Sequence, residues 1–218
     1  LGHIRQVDAI AHIVRCFEDE NVVHVDGSID PLRDVEVIQT ELNLTDLDTV
    51  EKRINRVGKQ AKSGDKKMQE EMAILEKVQK CLDSGQPARN ADLNAEQWAP
   101  LGELCLITAK PVLYVANVSE DDLAGEHPFV DRLKDHAANE GAEIVVICGK
   151  IESEIAELAE DEKTEFLAEL GLDESGLDRM IHAGYRLLGL ITYFTAGVKE
   201  VRAWTVSEGA RAPQAAGV

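Results

Sequence analysis

Apolar positions follow three rhythms along these 218 residues. Residues 7–17 (VDAIAHIVRCF) are a β-branched apolar run of strand length, followed by the irregular segment EDENVVHVDGSID. Pro31 then stands where a first helical turn accepts proline, with Asp30 as a candidate cap and Leu32, Val35 and Ile38 on one face. From Leu47 the rhythm changes, and Leu47, Val50, Ile54, Val57 and Ala61 recur at intervals of three and four, the seam of a coiled coil. KSGDKK interrupts it. Met68, Met72, Leu75, Val78 and Leu82 supply the stripe of a second helix returning antiparallel to the first. The spacing predicts a helical hairpin over residues 44–103, set apart as a lobe of its own.

After the hairpin, strands and helices alternate. Residues 112–116 read as a strand; Pro128 opens a helix with Phe129, Leu133 and Ala137 inward; Gly141 stops it; and residues 144–147 read as another strand. Strands apolar throughout, alternating with helices, imply a parallel sheet covered on both faces. Residues 151–190 read as helical, and ITYFTAGVKEVRAWTV around Gly197 reads as a β-hairpin opening a small further domain. The expected organisation is an α/β sheet over residues 1–43 and 104–190, the helical insertion 44–103, and a new domain from 191–218.

Composition narrows the classes. With 44% hydrophobic and 29% charged residues the chain can bury a core, and it contains no apolar run near the roughly 18 residues that span a bilayer. Together with the lack of a secretory signal pattern, this gives an expected cytoplasmic location without a membrane partner. Cys16, Cys81, Cys105 and Cys148 stand far apart, without metal-ligand spacing or a disulfide framework, so reduced thiols are expected. The net charge of -18 opposes nucleic-acid binding in general, but Lys52, Arg53, Arg56, Lys59, Lys62, Lys66 and Lys67 form one basic stretch. That stretch is either a phosphate-facing patch or a solvated helix face.

Ligands of doubly wound sheets bind beyond the carboxyl ends of the strands. Two corners lie there, Asn117-Val118-Ser119-Glu120 and, 31 residues after Asn117, Cys148-Gly149-Lys150-Ile151-Glu152. In guanine-binding P-loop proteins the corresponding corner reads Asn-Lys-x-Asp, and its aspartate accepts the two N–H groups that distinguish guanine. Here Glu120 replaces that aspartate and Val118 the lysine, so a site at this corner should tolerate or prefer adenine, read by backbone near Val118 with its side chain against the ring. The alternative is a plain helix cap from Asn117 or Ser119, with the acids favouring the helix dipole.

HIRQVDAIAHIVRCFEDENVVHVDGSIDPLRDVEVIQTEL, KPVLYVANVSEDD, VVICGKIESEIAEL and LITYFTAGVKEVRAWTV together resemble the YchF/Obg-like ATPase family, in the Obg group of P-loop NTPases. The resemblance covers essentially the whole chain. It implies a P-loop-type G domain interrupted by a coiled-coil insertion and followed by a TGS domain of β-grasp fold. It also implies hydrolysis of ATP in preference to or alongside GTP, with Mg²⁺, by a ribosome-associated protein. Asn117, Val118, Glu120, Cys148, Gly149 and Lys150 would surround the base, and His24 would stand in for the water-positioning glutamine. One departure is large: no Gly-x-x-x-x-Gly-Lys-Ser/Thr occurs, nor an Asp-x-x-Gly ahead of the first strand. The chain therefore reads as a partial G domain with an incomplete TGS domain, unable to hydrolyse nucleotide alone and holding no metal itself. Another reading is a non-catalytic module that docks on ribosomal RNA through the basic hairpin.

Overall fold

The computed structural model describes residues 2–19, 22 and 27–217 and divides the chain into two compact units. His24, the expected water-positioning residue, lies outside the described residues. One unit holds residues 1–10 and 32–111, the other residues 11–31 and 112–218.

The first unit is built on α1 (Pro31–Lys62) and α2 (Lys66–Asp83). Between Pro31 and Gly58 neither glycine nor proline interrupts the sequence, so the backbone ladder continues unbroken through the change of rhythm near Leu47. The expected boundary at 43/44 is corrected accordingly: it falls inside one 32-residue helix, and the unit runs to 111 rather than 103. Gly64 at φ 94° makes the reversal, and Asp65 caps α2 by accepting from the N–H groups of Lys67 and Met68. Val50 and Val57 of the seam pack with Leu75, Val78 and Leu82 of the returning helix, and Trp98 of the short helix α3 (Ala95–Trp98) lies against the same core.

A buried carboxylate ties the end of this unit to α1. Asp46 is fully buried, and it accepts from Ile107 N at 3.0 Å, Thr108 N at 2.7 Å and Thr108 Oγ1 at 2.7 Å, with Arg5 Nη1 at 3.9 Å. Thr108 Oγ1 in turn accepts from Ala88 N at 3.0 Å. The charge is thus enclosed by donors, the condition under which a buried carboxylate is tolerated.

The second unit contains a three-stranded sheet ordered β1 (Ile10–Arg15), β2 (Val112–Asn117), β3 (Glu143–Ile147). β2 and β3 are parallel, Leu113 opposite Glu143 and Asn117 opposite Ile147. Ile10 N donates to Pro111 O and Cys16 N to Asn117 O, a constant offset that makes β1 parallel to β2 as well. β2 is buried almost throughout because helices cover both faces. On one face α4 (Pro128–Glu140) turns Val130, Leu133 and Ala137 inward; Phe129, expected there, instead lies beside the His127 ring, because Val130 holds the inward phase. On the other face Ala183, Met180 and Leu187 of α7 (Gly176–Leu187) pack on Leu113, Val115 and Val145. α5 (Gly149–Glu157) and α6 (Glu160–Glu169) lie between β3 and α7 in the chain. The expected terminal hairpin is present as antiparallel β4 (Leu190–Ala196) and β5 (Val201–Ser207), followed by α8 (Ala212–Ala215). Among the described residues no helix is long and apolar enough to cross a membrane.

Candidate nucleotide-facing corner

The parallel register sets Asn117 beside Ile147, so the turns after β2 and β3 leave the sheet next to one another. Two polar contacts join them. Asn117 Oδ1 accepts from Gly149 N at 2.9 Å, and Lys150 Nζ donates to Glu120 Oε2 at 2.5 Å. A Cβ on Gly149 would stand 3.4 Å from Asn117 Oδ1, an ordinary contact, so the approach of the loops does not itself demand glycine. Ser119 makes no side-chain cap bond, and Asn117 spends its amide oxygen on Gly149. Gly149 is the first residue of α5, so the bond that joins the loops also satisfies a free amide at that helix start.

The six expected base-facing residues divide into two groups. Gly149, Lys150 and Glu120 are exposed and Asn117 is half-buried, whereas Val118 is 3% and Cys148 4% exposed. The expectation for the Val118 side chain is corrected: it turns into the core and its N–H donates to Ile147 O at 2.8 Å, which leaves no apolar surface for a ring. Cys148 likewise supplies backbone, accepting from Glu152 N, and not an exposed thiol. Lys150 titrates above its ordinary range, chiefly because Glu120 accepts its hydrogen bond and secondarily through that carboxylate's charge. The corner thus offers a fixed amide, backbone of a helix start, and a mutually neutralising acid–base pair.

Glu152, one turn beyond the corner, acquires a role that the sequence does not signal. Its carboxylate accepts from Gly176 N at 2.8 Å and Leu177 N at 3.0 Å, capping α7 from another element. A Cβ on Gly176 would approach Glu152 Oε1 to 2.8 Å and Ile147 Cγ2 to 2.9 Å, so only glycine admits this docking. Nothing local marks Glu152 out, because the capped helix begins 24 residues later.

Of the basic stretch in the first unit, Arg53 is corrected. Its side chain is 22% exposed and its Nε is bonded to Glu71 at 2.6 Å, an internal clamp between α1 and α2. Lys52 pairs with Asp48. Arg56, Lys59, Lys62, Lys66 and Lys67 are exposed and enter no ion pair among the described residues. Among the described residues no group of three or more histidine, cysteine, aspartate or glutamate side chains is placed to hold a metal ion.

Parallel strands with helices on both faces, an inserted helical hairpin and two linked loops at the strands' carboxyl ends define an α/β protein of the G-domain type. Residues 190–218 match the family YchF-GTPase_C, described as a protein of unknown function (DUF933). A Bacillus subtilis (strain 168) protein named ribosome-binding ATPase YchF is 54% identical over 220 residues, and one of the same name from Escherichia coli O157:H7 is 52% identical over 217. Each match covers 100% of this chain and 60% of the relative. The solved structure of the Schizosaccharomyces pombe YchF GTPase superposes with a TM-score of 0.86 at 36% identity, again over 100% of this chain and 60% of that one. The chain is thus a YchF homologue along its whole length, and it spans about 60% of the length of the relatives it matches.

Proposed function

We propose that this chain carries the base-facing part of a purine-nucleotide site in a cytoplasmic, ribosome-binding hydrolase that prefers ATP and also accepts GTP. The observation that supports this most is the Asn117–Gly149 hydrogen bond, which fastens the two loops at the carboxyl ends of adjacent parallel strands. Adenine presents an acceptor at N1, where guanine presents N–H and a neighbouring amine that call for a free carboxylate. Glu120 is engaged by Lys150, so guanine must displace an ammonium to reach it, while adenine needs no acid at all. Because that pair is solvent-exposed, it biases selection and does not forbid GTP. In the protein of the relatives' length, Mg²⁺ would neutralise the phosphates, and His24 would orient the attacking water. The 218 residues alone, without a Gly-x-x-x-x-Gly-Lys-Ser/Thr loop, are expected to turn over neither nucleotide.

The test is titration of the full-length protein with fluorescent ATP and GTP analogues. Asn117→Ala should weaken both nucleotides by about tenfold, the cost of one lost loop tether and a misplaced corner. Glu120→Asp, too short to reach the Lys150 ammonium in the same pose, should narrow the ATP preference. Unchanged affinities in Asn117→Ala would remove this corner from the site. Val118→Lys is unsuited to the purpose, since it forces an ammonium into a core position.

A second reading, docking on ribosomal RNA by the helical hairpin, is favoured by the five exposed cations at its reversal that no acid neutralises among the described residues. Charge reversal at Arg56, Lys59 and Lys62 should release the protein from ribosomes in cosedimentation and flatten the salt dependence of binding. Unchanged cosedimentation would make the patch a solubilising face.

A further inference from the structure

The described sheet ends at β3, and its outer edge borders a groove of about 620 Å³. Ile147 O receives a bond from Val118 N, so in a parallel strand the polar groups of Ile147, Val145 and Glu143 face β2. The backbone N–H and C=O groups of Ile144 and Val146 therefore point into the groove. The opposite wall is α7 with the turn that precedes it, which contributes Leu170, Leu172 and Glu174.

The charges around the groove are unequally satisfied. Arg186 is bonded to Glu143, and His182 Nδ1 lies 3.2 Å from Glu174 Oε2. Arg179 is the remaining charged wall residue, and no hydrogen bond or ion pair engages its guanidinium among the described residues. Its Nε is shut off from solvent without a partner. A buried donor left unmet costs stability unless something supplies an acceptor. Hence three features coincide: an open strand edge, a groove deep enough for side chains, and a guanidinium lacking an anion.

We propose that this groove binds an extended peptide segment carrying a carboxylate, added as a fourth strand beside β3. Backbone pairing to Ile144 and Val146 supplies the affinity, and Arg179 reads one acidic side chain of the incoming strand through its planar fork of donors. The selection comes from Arg179: a neutral or basic segment leaves it unpaired.

The probe is a fluorescein-labelled heptapeptide of alternating threonine and valine with a central glutamate, titrated by anisotropy against the full-length protein. Matched peptides carry a central glutamine, or N-methyl groups on the pairing edge. The glutamate peptide should bind about tenfold tighter than the glutamine peptide, the ratio should collapse toward one in Arg179→Met, and N-methylation should abolish binding. Independently of any variant, the glutamate peptide should slow amide exchange at Ile144 and Val146 of the unmodified protein. Equal binding of glutamate and glutamine peptides, unslowed exchange at those two amides, or no binding of any peptide would overturn the proposal. Retained binding of the N-methylated peptide, competed by free glutarate, would make the groove a small-anion site and overturn strand addition.

Discussion

Asp46→Ala removes the carboxylate on which the end of the helical unit is anchored. Three donors lose their acceptor: the Ile107 and Thr108 amides and the Thr108 hydroxyl, all at 2.7 to 3.0 Å in a fully buried setting. Each buried donor left unmet costs roughly 1–3 kcal/mol, and the hydroxyl falls at the low end because its O–H can rotate in search of another acceptor while the oxygen keeps accepting from Ala88 N. Removing the charge also relieves its own desolvation, which offsets part of the loss. The net expectation is about 3–5 kcal/mol off the stability of the first unit, within the range of broken buried networks. The chain has two tryptophans, one in each unit: Trp98 against the helical core and Trp204 in the terminal hairpin. In a Trp204→Phe background, fluorescence during urea unfolding reports the helical unit, and its midpoint should fall sharply on Asp46→Ala while the m-value is kept. A loss below about 1 kcal/mol would refute the reasoning, since it would mean that these donors find other acceptors at little cost.

Two further perturbations address the second unit. Gly176→Ala places a methyl within 3 Å of Glu152 Oε1 and Ile147 Cγ2, so it should lose about 1–3 kcal/mol of stability by overpacking and dislodge the cap on α7, read as a lower melting temperature with less helical signal. His12, tilted 5.7 Å from the Tyr114 ring, titrates below its ordinary value, first because it is buried and second because His136 is near, Glu140 partly opposing. The folded state therefore binds this proton less readily than the unfolded chain, and stability should fall as pH drops through about 6.5 and level off below the depressed folded value. His12→Gln should flatten that part of the pH–stability curve, and an unchanged slope would exclude His12 as its source.

Strands and helices of the second unit were legible because their signals are local. Val112 through Ala116 form an unbroken apolar run, Pro128 and Gly141 punctuate a helix, and the hairpin around Gly197 alternates as a ribbon must. The pairing of Asn117 with the loop at Gly149 was legible as well, since polar punctuation after two apolar strands implies adjacent corners in a parallel sheet. Other features were not. Val118 lies in a corner loop yet faces the core, because inward or outward orientation in a turn depends on what packs above it. The 43/44 boundary dissolved into α1 because a shift in hydrophobic phase changes which face is buried without breaking backbone hydrogen bonds.

The sequence by itself determined the alternation of elements, the seam of the helical hairpin and the two corners at the strand ends, since each rests on period, breaker and spacing within one segment. Only the tertiary structure decided which charges serve it from within. Arg53 reaches Glu71, Glu152 reaches the start of α7, Asp46 encloses the Thr108 amide, and Arg179 is left facing a groove. These assignments depend on distances between segments 18 to 62 residues apart or on the lack of any partner, and Coulomb and hydrogen-bond energies fall away within a few ångströms that no local pattern specifies.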